Sequence, residues 1–220
     1  AIFEVGLGGR LDATNLIQPI STAIVSIDFD HVDILGADLA SIAAEKAGII
    51  KPEVPVIVGN VPEEALRSIR FIAGQYNAPM RRFNSEFFLG LNKGSTFTWK
   101  NDTKIINDLM LKLEGEHQRE NAAVALSMVF SVLDTLPVTD TAIRSGLLRS
   151  QNPGRMEWLR ENLLVDCAHN PAGALRLARY LQTLDTDLPI TLLLGGSNNK
   201  DIRSVALLLA PCVSKILTTH

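Results

Sequence analysis

A chain of 220 residues with 46% hydrophobic and 20% charged residues has the composition of an ordinary globular protein, which excludes disordered and fibrous classes. With 21 basic against 24 acidic residues, a net charge of −3 and 5% aromatics, it lacks the basic face of a nucleic-acid binder and the stacking platform of a single-strand binder. Two cysteines, Cys167 and Cys212, are too few for a disulfide scaffold or a four-thiolate zinc site, and no apolar run approaches the roughly 18 residues of a membrane span, so a cytoplasmic protein is expected.

Strand-type and helix-type stretches alternate, the order of an α/β protein with parallel sheet and crossover helices. Residues 1–5 and 23–27 are short apolar runs rich in β-branched residues and are predicted as buried strands. Between 38 and 48 the positions Leu39, Ile42, Ala43 and Ala47 recur at helical spacing, with Gly48 as the stop. Residues 55–59 (PVIVG) predict another strand, and Pro62 opens a helix with Leu66, Ile69, Ala73 and Tyr76 on one face.

From 79 to 113 short alternating pieces such as 95–99 (STFTW), separated by turns such as Asn92-Lys93-Gly94, predict antiparallel hairpins. Helices are predicted over 118–133 and 139–148. Asn152-Pro153-Gly154 then reads as a hinge between two domains, 1–151 and 152–220, because neither Pro nor Gly favours continuing a helix. Beyond it, 156–160 and 163–167 flank Glu161-Asn162 as a hairpin, and Pro171 opens a helix carrying Leu175, Ala178 and Leu181. Strands at 190–194 and 216–218 enclose a helix through 205–209. The chain starts and stops on strand-like segments and is read as an internal stretch of a longer protein.

Six segments place chemically useful residues at the ends of predicted elements, where open α/β sheets bind ligands. Residues 4–15 (EVGLGGRLDATN) run from the carboxylate of Glu4 into a loop with three glycines, without the Lys-Ser/Thr of a P-loop. Asp28, Asp30, His31 and Asp33 offer carboxylate and imidazole ligands for a hard divalent cation, or simply turn and cap residues. Lys46 ends a helix, a position that by itself only complements the helix dipole. His117-Gln118 and Asn121 open a long apolar helix. Residues 153–157 (PGRME) follow the hinge, and 166–171 (DCAHNP) place Asp166, His169 and Asn170 between a strand and a Pro-initiated helix. No Ser lies in a Gly-x-Ser-x-Gly elbow, which argues against a serine triad, and Cys167 reads as a strand-end filler.

In this order the segments EVGLGGRLDATN, DHVDILG, EKAGIIKP, HQxxNAA, PGRME, DxAHNP and GGSNNKD resemble the folylpolyglutamate synthase and dihydrofolate synthase family of the Mur ligase superfamily. The resemblance implies a P-loop-type ATPase domain with a parallel sheet, the Mur central domain, over 1–151, and a partial Rossmann-like C-terminal ligase domain over 152–220. It implies an ATP-dependent ligase of one-carbon metabolism and folate biosynthesis that joins L-glutamate to a folate or dihydropteroate carboxylate through an acyl phosphate.

Carried over by position, Glu4 and His31 become magnesium ligands, and Lys46 reacts with carbon dioxide to give a carbamate at a second magnesium. Leu11, Asp12 and Ala13 match the pterin-substrate segment, Asn121, Arg155 and Asp166 the nucleotide contacts, and His169 a catalytic position. The chemistry is consistent with those types, since cations neutralise the charge that develops as a γ-phosphoryl group moves, and Arg can fork onto phosphate oxygens. The resemblance implies a monomer whose partners are small molecules, with neither nucleic acid nor membrane. It departs from the family pattern at Cys167 and Asn199, and its P-loop is expected upstream, so that this stretch alone is expected to bind ATP feebly and to be inactive.

Three other readings use the same residues. A peptidoglycan ligase of the Mur type shares the chemistry but acts on a UDP-sugar peptide, and the LDATN segment favours folates over it. A non-catalytic module would hold a structural ion at Asp28, Asp30 and His31, and a metal-dependent hydrolase would use His31 and Asp33 without glutamate.

Overall fold

The computed structural model describes residues 1–92, 95–186, 188–197 and 200–219. Lys93 and Gly94 of the expected turn, and Asn198 and Asn199 of the last motif, lie outside the described residues. The chain divides into two compact units, one of Ala1–Leu111 with Arg119–Arg149, the other of Lys112–Gln118 with Ser150–His220.

In the first unit β1 (Thr22–Ile24), β2 (Val56–Val58) and β3 (Met80–Arg82) form a parallel sheet in that order. The run Val56-Ile57-Val58 is wholly buried because both faces of β2 are covered. Val56 and Val58 pack with Ile24, Ile42, Ala43, Leu66 and Ile69, while Ile57 belongs to the core of Phe87, Phe97, Trp99, Ile106 and Leu109. A continuous apolar run is what a strand buried on both faces requires. The crossovers are α1 (Val32–Leu35) with α2 (Leu39–Ala47), and α3 (Glu63–Gln75). Asp38 starts α2 by accepting from the Ser41 amide at 2.7 Å and its hydroxyl at 3.0 Å, and these bonds hold its carboxyl below the ordinary range.

An antiparallel meander follows, β4 (Phe87–Leu91), β5 (Thr96–Asn101) and β6 (Ile105–Met110), then α4 (Glu116–Ser131) and α5 (Asp140–Arg149). Trp99 is fully buried, stacks on Phe130 at 4.6 Å, and donates from Nε1 to the Ala123 carbonyl at 3.2 Å. Burying an indole costs little once its N–H has a partner.

The second unit holds the hairpin β7 (Glu157–Arg160) and β8 (Leu163–Val165), α6 (Pro171–Leu181), and the parallel pair β9 (Thr191–Leu194) and β10 (Lys215–Thr218) joined through α7 (Ile202–Leu209). Asn170 caps α6 by accepting from the Gly173 amide at 2.8 Å, with Pro171 in its first turn. Its core gathers Met156, Ala174, Leu177, Ala178, Leu194, Val205 and Leu209.

Four expectations need correction. Residues 1–5 are not a buried strand: Ile2 and Phe3 are exposed, and no strand among the described residues pairs with them, so their backbone groups have no ladder to join. Met80–Arg82 is not part of a hairpin but the third parallel strand, reached from β2 by the α3 crossover. Tyr76 lies on no buried face, being the exposed C-terminal cap of α3. On α6 the buried face runs through Ala174, Leu177 and Ala178, which turns Leu175 towards solvent. In addition β1 ends at Ile24, so four extended or irregular residues separate it from Phe29.

Candidate functional site

Most of the motif segments fall into two groups, one in each unit. In the first unit the glycine loop is folded by Asp12. Its Oδ1 accepts from the Thr14 hydroxyl at 2.6 Å and the Thr14 amide at 2.9 Å, and its Oδ2 from the amides of Gly6 and Leu7 at 3.1 and 3.3 Å. The Thr14 bonds, helped by those amides, hold the Asp12 carboxyl down at about 2. Asp12 also caps the short 3-10 turn Ala13–Leu16. Leu11 and Ala13 are exposed beside it, on a shallow depression that also includes Arg10, Asn15 and Leu16.

This loop lies against two helices. A Cβ on Gly8 would meet the Leu35 side chain at 3.0 Å, and one on Gly9 the Lys46 carbonyl at 2.7 Å. Gly48 approaches still closer, since a Cβ there would come within 2.5 Å of the Arg10 Cα. Arg10 donates from Nε and Nη2 to Glu45 Oε1 at 3.1 and 2.8 Å, which raises its pKa through the bonds first and the charge of Glu45 second. Through these contacts the loop that follows Glu4, the helix that His31 starts and the helix that ends after Lys46 meet.

His31 itself adopts the left-handed conformation, φ 52°, at the start of α1, a backbone setting uncommon outside glycine. Its amide donates to Asp30 Oδ1 at 2.9 Å, and its Nε2 lies 3.7 Å from the same oxygen. Glu4 is exposed and Lys46 half-buried. Among the described residues, no three His, Cys, Asp or Glu side chains are grouped closely enough to hold a metal. The acidic residues around His31 therefore do not form a closed cation site by themselves.

In the second unit PGRME and DCAHNP interlock. The Cys167 amide donates to the Gly154 carbonyl at 2.7 Å, the Met156 amide to Asp166 Oδ2 at 2.8 Å, and the Ala168 amide to Asp166 Oδ1 at 2.8 Å. Gly154 sits at φ 70° with its α-carbon face against the Cys167 sulfur, 2.7 Å from where a Cβ would stand, so glycine is required twice over. Glu157 Oε2 accepts from the Gly154 amide at 2.8 Å. His169 donates from Nδ1 to the Cys167 carbonyl at 2.9 Å, which puts the proton of the neutral ring on Nδ1. Arg155 is exposed at this turn.

His117 packs into the same cluster. Its ring and the Met156 sulfur both come within 2.9 Å of the point where a Cβ on Gly115 would stand. Burial lowers the His117 pKa, the charge of Arg176 adds to that, Asp166 opposes it and Arg155 adds a smaller depression. Arg155 and Arg176 thus bring positive charge to the neighbourhood of His117, while the two Asp166 oxygens accept the Met156 and Ala168 amides. The local pattern contained no sign of Arg176, which lies beyond the Pro171 motif on α6, and His117 read only as part of the HQxxNAA segment that opens a helix. Asn121, exposed on α4, belongs to the first unit.

No protein-family model matches the chain. It is 35% identical over 215 residues to the dihydrofolate synthase/folylpolyglutamate synthase of Bacillus subtilis, across 93% of this chain and 49% of that protein. It is 33% identical over 214 residues to the folylpolyglutamate synthase of Lacticaseibacillus casei, across 94% of this chain and 50% of that one. Among solved structures, E. coli FolC in complex with DHPP and ADP superposes with a TM-score of 0.88 at 33% identity, covering 96% of this chain and 50% of that chain. An FPGS–AMPPCP–folate complex superposes with a TM-score of 0.90 at 30% identity, covering 98% and 54%. The chain thus spans about half the length of the curated relatives it matches.

Proposed function

The chain belongs to the dihydrofolate synthase/folylpolyglutamate synthase family, of which it spans about half a member's length, and on that premise we propose that the whole protein is an ATP-dependent ligase adding L-glutamate to a folate or dihydropteroate carboxylate. The acceptor carboxylate attacks the γ-phosphate of ATP, ADP leaves, and the glutamate amine displaces phosphate from the acyl phosphate to form the amide. The observation that carries this reading is the likeness to E. coli FolC with DHPP and ADP, together with the folate complex of FPGS, over nearly this whole chain.

In this reading the first unit is the central ATPase domain and the second the C-terminal ligase domain. Leu11 and Ala13 meet the pterin acceptor on the loop that Asp12 folds. Arg155 and Asn121 contact nucleotide, Asp166 sets the turn that presents Arg155, and His169 offers Nε2 at the same loop. Glu4, His31 and a carbamylated Lys46 are the contributions to magnesium. The donor types suit a hard cation, and the glycine loop brings the three segments together, while the protein's remaining length and the nucleotide phosphates supply the other ligands. Magnesium, when bound, neutralises charge on the transferring phosphoryl group. This reading carries with it a monomer that works in the cytoplasm. No helix among the described residues is long and apolar enough to cross a membrane.

The test is ATP turnover by the full-length protein with magnesium and L-glutamate, offering dihydropteroate and tetrahydrofolate in turn. Turnover that needs both glutamate and one of the acceptors is expected. Glutamate-independent hydrolysis, or none with either acceptor, would overturn the proposal.

A further inference from the structure

Every helix C-terminus leaves backbone carbonyls without helical partners. At the end of α2 a loop meets them. The Arg10 amide donates to the Glu45 carbonyl at 2.9 Å, and Asn15 Nδ2 donates to the Gly48 carbonyl at 3.1 Å. The other N–H of the same Asn15 side-chain amide reaches the Arg10 carbonyl at 2.9 Å, and the Asn15 backbone carbonyl receives Lys51 Nζ at 2.9 Å. One half-buried side chain therefore closes the loop that carries Leu11, Asp12 and Ala13 and fastens it to the turn that carries Lys46.

We propose that Asn15 is a positioning residue for Lys46, holding the last turn of α2 in the capped form in which that lysine carries its carbamate. The inference rests on the reading of Lys46 given above. A helix C-terminus bears partial negative charge and favours a cation. Carbamylation reverses the charge there: the neutral Lys46 amine attacks carbon dioxide, an N–C bond forms, one C=O electron pair moves to oxygen, and the nitrogen proton goes to water. Donors placed on the terminal carbonyls, Asn15 on Gly48 and Arg10 on Glu45, offset the field that the new anion meets. Loss of the Asn15 amide uncovers the Gly48 carbonyl and releases the loop together.

The test uses the full-length protein in 13C-bicarbonate, reading the carbamate carbon by NMR beside kcat and the acceptor KM. Asn15→Ala is expected to weaken the carbamate signal and to lower kcat about tenfold, with both restored by raised bicarbonate. Lys51→Met, which removes the bond to the Asn15 carbonyl, shifts both in the same direction and serves if Asn15→Ala does not fold. Lys104→Met, at a surface pair with Asp140, leaves both unchanged. A wild-type carbamate signal that persists undiminished in Asn15→Ala and Lys51→Met, or a loss of kcat that bicarbonate does not restore, overturns the role of Asn15 alone. No carbamate signal in an active wild-type protein overturns the Lys46 reading and this inference with it.

Discussion

Asp166 holds Met156 by its backbone: Oδ2 accepts the Met156 amide at 2.8 Å while Oδ1 accepts the Ala168 amide at 2.8 Å. The two oxygens thereby tie the PGRME turn to the DCAHNP loop, and Met156, at φ 47°, buries its side chain in the core of the second unit. An asparagine offers one acceptor where the carboxylate offers two. Asp166→Asn is expected to cost about 1–3 kcal/mol in the second unit, read as a lower denaturant midpoint; an unchanged midpoint would show that the interlock contributes nothing.

Asp12 makes the stability of the glycine loop acid-sensitive. Its folded carboxyl lies at about 2, below the ordinary 3.8, so its contribution is complete above 3.8 and is lost as pH falls through about 2. Asp12→Asn should be less stable than wild type at neutral pH and converge with it across that window. Thermal unfolding of both proteins as a function of pH measures this, and parallel curves would refute it.

His117 has the same sign for a different reason. Burial keeps it neutral, so the folded protein resists protonation that the unfolded chain accepts below 6.5. Its contribution is therefore whole above 6.5 and declines as pH falls towards its lower folded value. His117→Gln should remove that decline, and in wild type the His117 ring resonances should titrate below 6.5 in an NMR experiment. Titration at or above 6.5 would contradict the packing described.

Two glycines form a matched pair. A Cβ on Gly48 would stand 2.4 Å from the Arg10 Cβ, whereas one on Gly74 in α3 meets nothing within 4 Å. Gly74→Ala should stabilise by about 0.5–1 kcal/mol, since it removes unfolded-state freedom from a helical position. Gly48→Ala should destabilise by about 1–3 kcal/mol, because loop backbone rather than a flexible side-chain tip must move. Denaturant midpoints of the two variants, moving in opposite directions, are the check.

Elements governed by local rules were legible in the sequence. Residues 55–59 read as a strand because β2 is buried on both faces, and α2 and α6 were legible from the helical spacing that ends at Gly48 and from Pro171, since such signals act within a turn or two. Elements that depend on a distant partner were not. Residues 1–5 have strand composition but no neighbour to pair with among the described residues, and Met80–Arg82 becomes a strand only because β2 offers an edge after the α3 crossover.

The sequence by itself determined the α/β class, the order of the motifs and the residue types available for phosphate, carboxylate and cation chemistry, because composition, periodicity and spacing record local preferences. Tertiary structure alone decided that Asn15 reaches the Gly48 carbonyl across 33 positions, that Gly154 lies against Cys167, and that the His117 ring and the Met156 sulfur meet over Gly115. Those relationships are set by how helices and loops pack, and no periodicity along the chain encodes which distant carbonyl a side chain will find.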